Sequence, residues 1–261
     1  MKRFWLWSIP LVVLGAWALL HFWSEREKPP PDPAAARAPA AKPAIRHPIE
    51  PVERPDRPIP PLADSDGELS EALSRLLGNK LPKFIRLKNI VHRIVATIDN
   101  LPRDHVAPEL MPVSPAPGPL ITVKSGEDLA LGPKNFERYQ PYVGLAEMLP
   151  ADGLVEIYRR FYPLFQEQYE ELGYPDGYFN DRLVEVIDHL LATPEIKGPL
   201  RLVQPDVLYE FADPALKKLS AGQKILLRIG LDNQLKLKAK LREIRHALVS
   251  AAPAKRPNQG P

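Results

Sequence analysis

The stretch Tyr178 to Pro194, YFNDRLVEVIDHLLATP, gathers Asn180, Asp181, Arg182, Glu185, Asp188 and His189 within ten residues. These are the residue types of acid–base and metal chemistry. On a helix, Glu185 and His189 are four residues apart, a spacing that puts two metal ligands on one face, and Asp181 lies a further turn back. A metal needs a third protein ligand, and no second His-rich motif nominates one: His92, His105 and His246 are isolated.

The same residues also have a plain structural reading. At about 100° per residue, Leu183, Val184, Val186, Ile187, Leu190 and Leu191 fall on one side of a helix, and the polar residues fall on the other. Asn180 suits the N-cap, with Phe179 as a hydrophobic staple against Val184. Asp181 then meets the positive end of the helix dipole. Arg182 can pair with Glu185, and Glu185 with His189. Every polar residue in the stretch is thereby explained as a solvated or partner-facing surface.

The chain that positions this helix has 261 residues, no cysteine and 32 prolines. Disulfides and thiolate metal sites are excluded. The 35 basic and 32 acidic side chains nearly cancel, which gives nucleic-acid binding little support. Phe4 to Trp23, FWLWSIPLVVLGAWALLHFW, is 20 residues without a formal charge. As a helix it spans about 30 Å, the thickness of a bilayer core. Trp5, Trp7 and Trp23 fall near its ends, where indoles favour the headgroup boundary, and Lys2 and Arg3 favour a cytoplasmic N-terminus at 1–3. The expected partner of residues 4–23 is the lipid bilayer. A signal peptide cleaved after Ala18 is the rival reading, from the AWA pattern; the apolar run through Trp23 argues for an uncleaved anchor. Either way the remainder leaves the cytoplasm, which removes nucleic acid as a partner.

Residues 24–61 read as a disordered proline-rich linker, with 12 prolines among the 34 residues from Lys28 to Pro61. The globular domain is expected over 62–249, followed by a disordered tail at 250–261. Its fold class is mostly α, a single helical domain with at most one small β-hairpin. SDGE at Ser65 to Glu68 has the capping-box form before a helix carrying Leu69, Leu73, Leu76 and Leu77. A second helix is expected over Lys83–Asp99, then a proline-dense loop from Pro102 to Pro119. The hairpin is expected from LITV at Leu120 to Val123 and LAL at Leu129 to Leu131. Further helices begin near Asn135 and Asp152, the latter kinked or divided at Pro163. Asp213–Pro214 marks a helix start, and SAGQ at Ser220 to Gln223 is another capping box. The long basic helix after it holds seven Lys or Arg between Lys224 and His246, flanking a core-facing stripe of Leu237, Leu241, Ile244 and Leu248.

No G-x-S-x-G, P-loop, H-E-x-x-H or dinucleotide fingerprint is present, and no cofactor is expected. The run Tyr158 to Pro194, YRRFYPLFQEQYEELGYPDGYFNDRLVEVIDHLLATP, resembles the signature of the family termed domain of unknown function 3014. IVATIDNLPR at Ile94 to Arg103, NFERYQPYV at Asn135 to Val143 and FADPALKKLSAGQKILLRIG at Phe211 to Gly230 resemble its other blocks. The resemblance implies a single-pass inner-membrane protein of Gram-negative bacteria with its domain in the periplasm, and brings no activity or ligand. Two functional readings follow. One is a non-enzymatic docking or scaffold protein, its partner an envelope protein or the cell wall. The other is a periplasmic enzyme built on a convergent polar cluster of Asp99, Arg138, Asn180, Asp181 and Arg182. The candidate partner-binding residues are Asp99, Asn100, Arg138, Tyr139, Asn180, Asp181 and Arg182.

Overall fold

The structure is a computed structural model that describes residues 44–52, 57–78, 81–126 and 128–251. The expected anchor at 4–23, the segment 1–3, the linker up to residue 43 and the tail from residue 252 lie outside the described residues. Among the described residues, no helix is long and apolar enough to cross a membrane.

The described chain is mostly helical. After a 3-10 turn at Leu62–Asp64 come α1 (Ser65–Leu76), α2 (Ile90–Asn100), α3 (Lys134–Met148), α4 (Ala151–Glu171) and α5 (Phe179–Leu191). Then follow α6 (Pro214–Lys217), α7 (Ala221–Arg228) and α8 (Leu231–Ser250). Four short strands complete the fold: β1 (Thr122–Ser125), β2 (Asp128–Leu131), β3 (Arg201–Val203) and β4 (Glu210–Phe211). They form one antiparallel sheet in the order β1-β2-β3-β4. The expectation of at most one hairpin is therefore corrected. The β1–β2 hairpin stands where the sequence places it, and β3–β4 adds a second pair. Two or three residues are too few to display a period of two. Leu202 becomes strand only by lying opposite Leu129 on one side and Phe211 on the other.

Helix α4 is the hub, packing against α1, α2, α5 and α8. Its apolar positions serve two cores. Phe161, Leu164, Phe165 and Tyr169 join Leu69 of α1, Ile90, Val91 and Val95 of α2, and Phe179. Val155 and Tyr162 join Val184 and Ile187 of α5 and Leu248 of α8. Burying a large apolar side chain contributes on the order of 1.5–3 kcal/mol, so this one helix organises much of the stabilisation. The expected division at Pro163 does not occur. Pro163 is exposed, so its ring meets solvent rather than a packed neighbour. The carbonyl of Arg159, which loses its helical donor to the proline, instead accepts from the backbone N–H of Val52 at 3.3 Å.

Two N-termini are capped differently from the sequence reading. Ser65 is not an N-cap; its hydroxyl donates to the Leu62 carbonyl at 2.7 Å. Asp66 of that motif caps α2 instead, accepting from the backbone N–H groups of Asn89 (2.6 Å) and Ile90 (3.0 Å). Helix α2 consequently starts at Ile90 rather than Lys83. Before it, Asn89 turns the chain at φ 53°, and Arg86 and Ser114 donate to the carbonyls of Pro112 and Phe84 in a short antiparallel bridge. The caps expected at Asp213 and Ser220 match. Asp213 accepts from the Ala215 N–H with Pro214 at N1, and Ser220 with Gln223 forms a complete capping box. The basic helix is broken in two by Gly230 at φ 89°, where the Phe136 ring fills the space a β-carbon would take.

Tyr158 and Tyr162 lie side by side on α4, their rings 5.6 Å apart and edge to face. Burial raises the pKa of both hydroxyls above the ordinary tyrosine value. A raised folded pKa means that the native state holds the proton after the unfolded chain has released it. The stabilisation is complete below about pH 10 and declines as pH rises past that unfolded value, by about 1.4 kcal/mol per tyrosine per pH unit. Alkaline melting curves should show this fall, and tyrosinate absorbance from these two should emerge only with unfolding. Tyr158→Phe and Tyr162→Phe should each flatten the alkaline arm; an unaltered arm would contradict the burial described here.

Candidate functional site

The polar residues of α5 grip a piece of the chain itself. Asp181 accepts from the backbone N–H groups of Arg46 (2.9 Å) and His47 (2.6 Å). The Asn180 amide donates to the His47 carbonyl at 2.8 Å, and the Tyr178 hydroxyl accepts from the Ile49 N–H at 2.8 Å. The Arg159 guanidinium donates to the Glu50 carbonyl at 2.9 Å. Ile49 itself is buried among Val155, Tyr162, Val184, Ile187 and Leu248. Residues 46–52, within the proline-rich stretch, thus lie against the domain as an extended strap read through its backbone.

This arrangement replaces the expected cap. Helix α5 starts at Phe179, after Tyr178, and Asn180 is fully buried with no capping bond. Phe179 enters the main core, stacked on Phe165 at 6.0 Å, and its N–H is taken by the Gln166 side chain at 2.9 Å. The pairing of Arg182 with Glu185 is present at 3.0 Å. His189, expected on the exposed face beside Glu185, is half-buried and shares a hydrogen bond of 2.8 Å with the Ser220 hydroxyl, tying α5 to the start of α7. Asp188 holds Arg245 of α8 through two bonds of 2.5 and 3.0 Å.

Asp99, near the C-terminus of α2, is 3% exposed and lies among cations and a hydroxyl. Its carboxylate accepts from Arg103 (2.5 Å), Arg182 (3.2 Å) and Tyr174 (3.2 Å). Arg182 also donates to the Asp99 carbonyl at 3.0 Å, closing the end of α2. Asp99 and Tyr174 together raise the Arg103 pKa, Asp99 contributing most. Asp99, Asp181 and Arg182 line one shallow groove with Tyr174 and Tyr178, with buried Asn180 beside them. The other three candidates are elsewhere. Asn100 bonds back to the Ala96 carbonyl at 2.7 Å. Arg138 gathers the carbonyls of Ala116, Gly118 and Pro119, at 2.6 to 3.1 Å, and so pins the loop before β1. Tyr139 lines a different cavity. Among the described residues, no three His, Asp or Glu side chains gather as a metal ligand set.

That cavity is an open cleft of about 720 Å³ between α3, α7 and the proline-dense loop. Val143, Phe211, Ala221 and Ile229 are among its buried apolar lining; Tyr139, Tyr142 and Ile225 also line it. The loop wall is held rigidly. Arg86 donates to the Pro108 carbonyl at 2.8 Å, Arg93 to that of Glu109, and the Tyr142 hydroxyl to that of Ser114 at 3.0 Å. At the edge of the cleft, Leu208 is 77% exposed, and its neighbour Val207 is 84% exposed. Arg228 lines the cleft half-buried, its guanidinium 5.6 Å from the Phe211 ring centre and 3.5 Å from the Tyr209 carbonyl. Burial lowers its pKa, opposed by Tyr139. Sequence reading singled out only Tyr139 of these residues. The cleft is built from five separated segments, and two of its cations, Lys224 and Arg228, are hidden in what looks like an ordinary basic helix.

A hub-helix domain with a small antiparallel sheet at its flank defines the class. Within it, residues 90–245 match the family model described as Protein of unknown function (DUF3014), and the chain belongs to that family. No curated protein and no solved structure matches the chain. The cleft lies wholly within the matched residues, whereas the strap at 46–52 lies before them.

Asp181→Ala should release the strap. Two charge-assisted hydrogen bonds vanish at once, worth about 1.5–3 kcal/mol together with the helix-end charge. Amide exchange at Arg46 and His47 should accelerate about tenfold or more, while Val186 and Ile187 in α5 keep their protection. Unchanged exchange at His47 would show that Asp181 does not hold the segment.

Proposed function

We propose that this is a non-catalytic docking protein, anchored in the inner membrane through Phe4 to Trp23. Its domain stands in the periplasm on a proline-rich tether and takes a partner of the cell envelope into the cleft between α3, α7 and the 104–116 loop. One observation carries the reading. The polar residues that looked able to do chemistry are spent on the protein's own backbone and ion pairs, while the cleft stays open, apolar and edged by exposed Leu208. The enzyme alternative requires Arg138 beside Asp99, Asn180, Asp181 and Arg182; its guanidinium is instead committed to the carbonyls of residues 116–119. With residues 46–52 held against the domain, a tether of the length of 24–45 has a maximum reach of about 70 Å at ~3.1 Å per residue.

The test uses the full chain in its host. A photoreactive amino acid replaces Leu208, and alkaline phosphatase follows Ser250. Phosphatase should be active, and a discrete adduct should form from position 208 but not from Met148, an exposed apolar residue that does not line the cleft. Inactive phosphatase would overturn the topology. Absence of adduct, or equal adduct from both positions, would overturn the docking face.

A further inference from the structure

Two cations of the basic helices line the cleft. Between Lys224 and His246 there are seven Lys or Arg. Lys236, Lys238, Lys240 and Arg245 pair with Glu147, Glu195, Glu243 and Asp188. Arg242 is exposed to solvent. Lys224 and Arg228 remain, one turn apart on α7, and both line the cleft. The cleft contains two carboxylates, Asp104 and Glu210, against Lys217, Lys224 and Arg228. Glu210 is taken by Lys217 at 2.6 Å, and Asp104 is exposed.

Arg228 is the exceptional member. A guanidinium carries five N–H donors. This one has a carbonyl at 3.5 Å and an aromatic face at 5.6 Å, and among the described residues no carboxylate pairs with it. Taking a cation out of water is costly unless an anion meets it. Phe211, Ile225 and Ile229 give the cleft apolar lining, and Tyr139 adds the phenol that opposes the fall in the Arg228 pKa. The volume of about 720 Å³ falls in the range typical of small-molecule sites, roughly 300–1,000 Å³.

We propose that the cleft binds an apolar molecule bearing one carboxylate, with its body against Phe211, Ile225 and Ile229 and its carboxylate on Arg228, supported by Lys224. The planar guanidinium fits a carboxylate through two parallel hydrogen bonds, which a point charge does not reproduce. Desolvation strengthens such a pair, and burial among the cleft residues already takes part of the water from the Arg228 cation and lowers its pKa. This inference rests on the reading of the cleft as the docking surface and specifies what chemistry docks there.

The probes are phenylbutyrate, phenylbutanol and phenylbutylamine, titrated calorimetrically into the full chain in lipid nanodiscs, with empty nanodiscs subtracted. Phenylbutyrate should bind saturably and about tenfold or more tighter than the alcohol, the amine weakest of all. Arg228→Met, with length and apolar stem kept, should bring acid and alcohol to within about twofold, and Lys224→Gln should reduce the preference less. A melting curve accompanies each variant; if Arg228→Met does not fold, Arg228→Lys takes its place and should lose most of the preference. Saturable binding without preference for the acid overturns the carboxylate assignment and leaves the docking face standing. No saturable binding by any probe overturns the small-ligand inference, while crosslinking from position 208 decides the docking face separately. A preference that survives Arg228→Met places the carboxylate elsewhere and overturns the assignment.

Discussion

The fold depends on a helix that has to be buried on nearly every side. Helix α4 carries Tyr158, Phe161, Tyr162, Phe165 and Tyr169, and its neighbours α1, α2, α5 and α8 exist as packed elements because they cover those rings. A helix so enclosed has few places to put polar atoms. Arg160, 9% exposed, is satisfied by Glu68 and by the Arg57 carbonyl. Pro163 leaves the Arg159 carbonyl without its helical donor, and Val52 supplies one. The strap is therefore part of the same solution: it completes the hydrogen bonding of α4 and inserts Ile49 between α4, α5 and α8. The second core would be incomplete at residue 62, the boundary that hydrophobic periodicity suggests.

Burial also decides what the polar cluster on α5 is for. Asp181 and Asn180 are placed to read backbone groups, which any sequence supplies. The grip is consequently indifferent to the identity of residues 46 and 47, and it is Ile49, through its pocket, that sets the register. Asp99 is the mirror case. A carboxylate 3% exposed persists because Arg103, Arg182 and Tyr174 surround it. Removing one partner would leave a buried charge, so the network fixes the relation of α2 to α5 whether or not it adds net stability.

What was legible in the sequence is what depends on neighbours within a turn. The apolar arc of α5, from Leu183 to Leu191, is buried or half-buried, with Val186 fully so, and the Asp213 and Ser220 caps act within three residues. Errors arose wherever a residue served a distant element. Asn180 has the composition of a cap, yet its amide is claimed by His47, 133 positions away. Asp66 sits in a motif that would cap its own helix and caps the next one, 24 positions on. Strands β3 and β4 have no local signature, because only the pairing of β3 with β2 and of β4 with β3 makes them strands. The candidate polar cluster was half legible for the same reason. Asp99 and Arg182 meet because α2 and α5 pack together, while Arg138 and Tyr139, adjacent in sequence, face a loop and a cleft respectively.

The cleft follows from these constraints rather than standing apart from them. The loop 102–119 is rich in proline and pairs only at the short Ile85–Val113 bridge, so several of its carbonyls are satisfied from outside by the side chains of Arg86, Arg93, Arg138 and Tyr142. Four side chains spent in this way hold one wall off the α7 wall and keep the gap from collapsing. A preformed wall loses little freedom when something binds, which is the condition under which a modest apolar surface becomes a useful site. Gly230 then turns α8 back across the base, bringing Leu237 to the lining and directing the paired lysines of α8 toward Glu147 and Glu195. What remains in the gap is Arg228, held between an aromatic ring and a distant carbonyl. Among the described residues, buried Asp99, Arg160 and Lys238 each meet an opposite charge, whereas Arg228 has no carboxylate partner, and there the architecture leaves a place for a molecule other than itself.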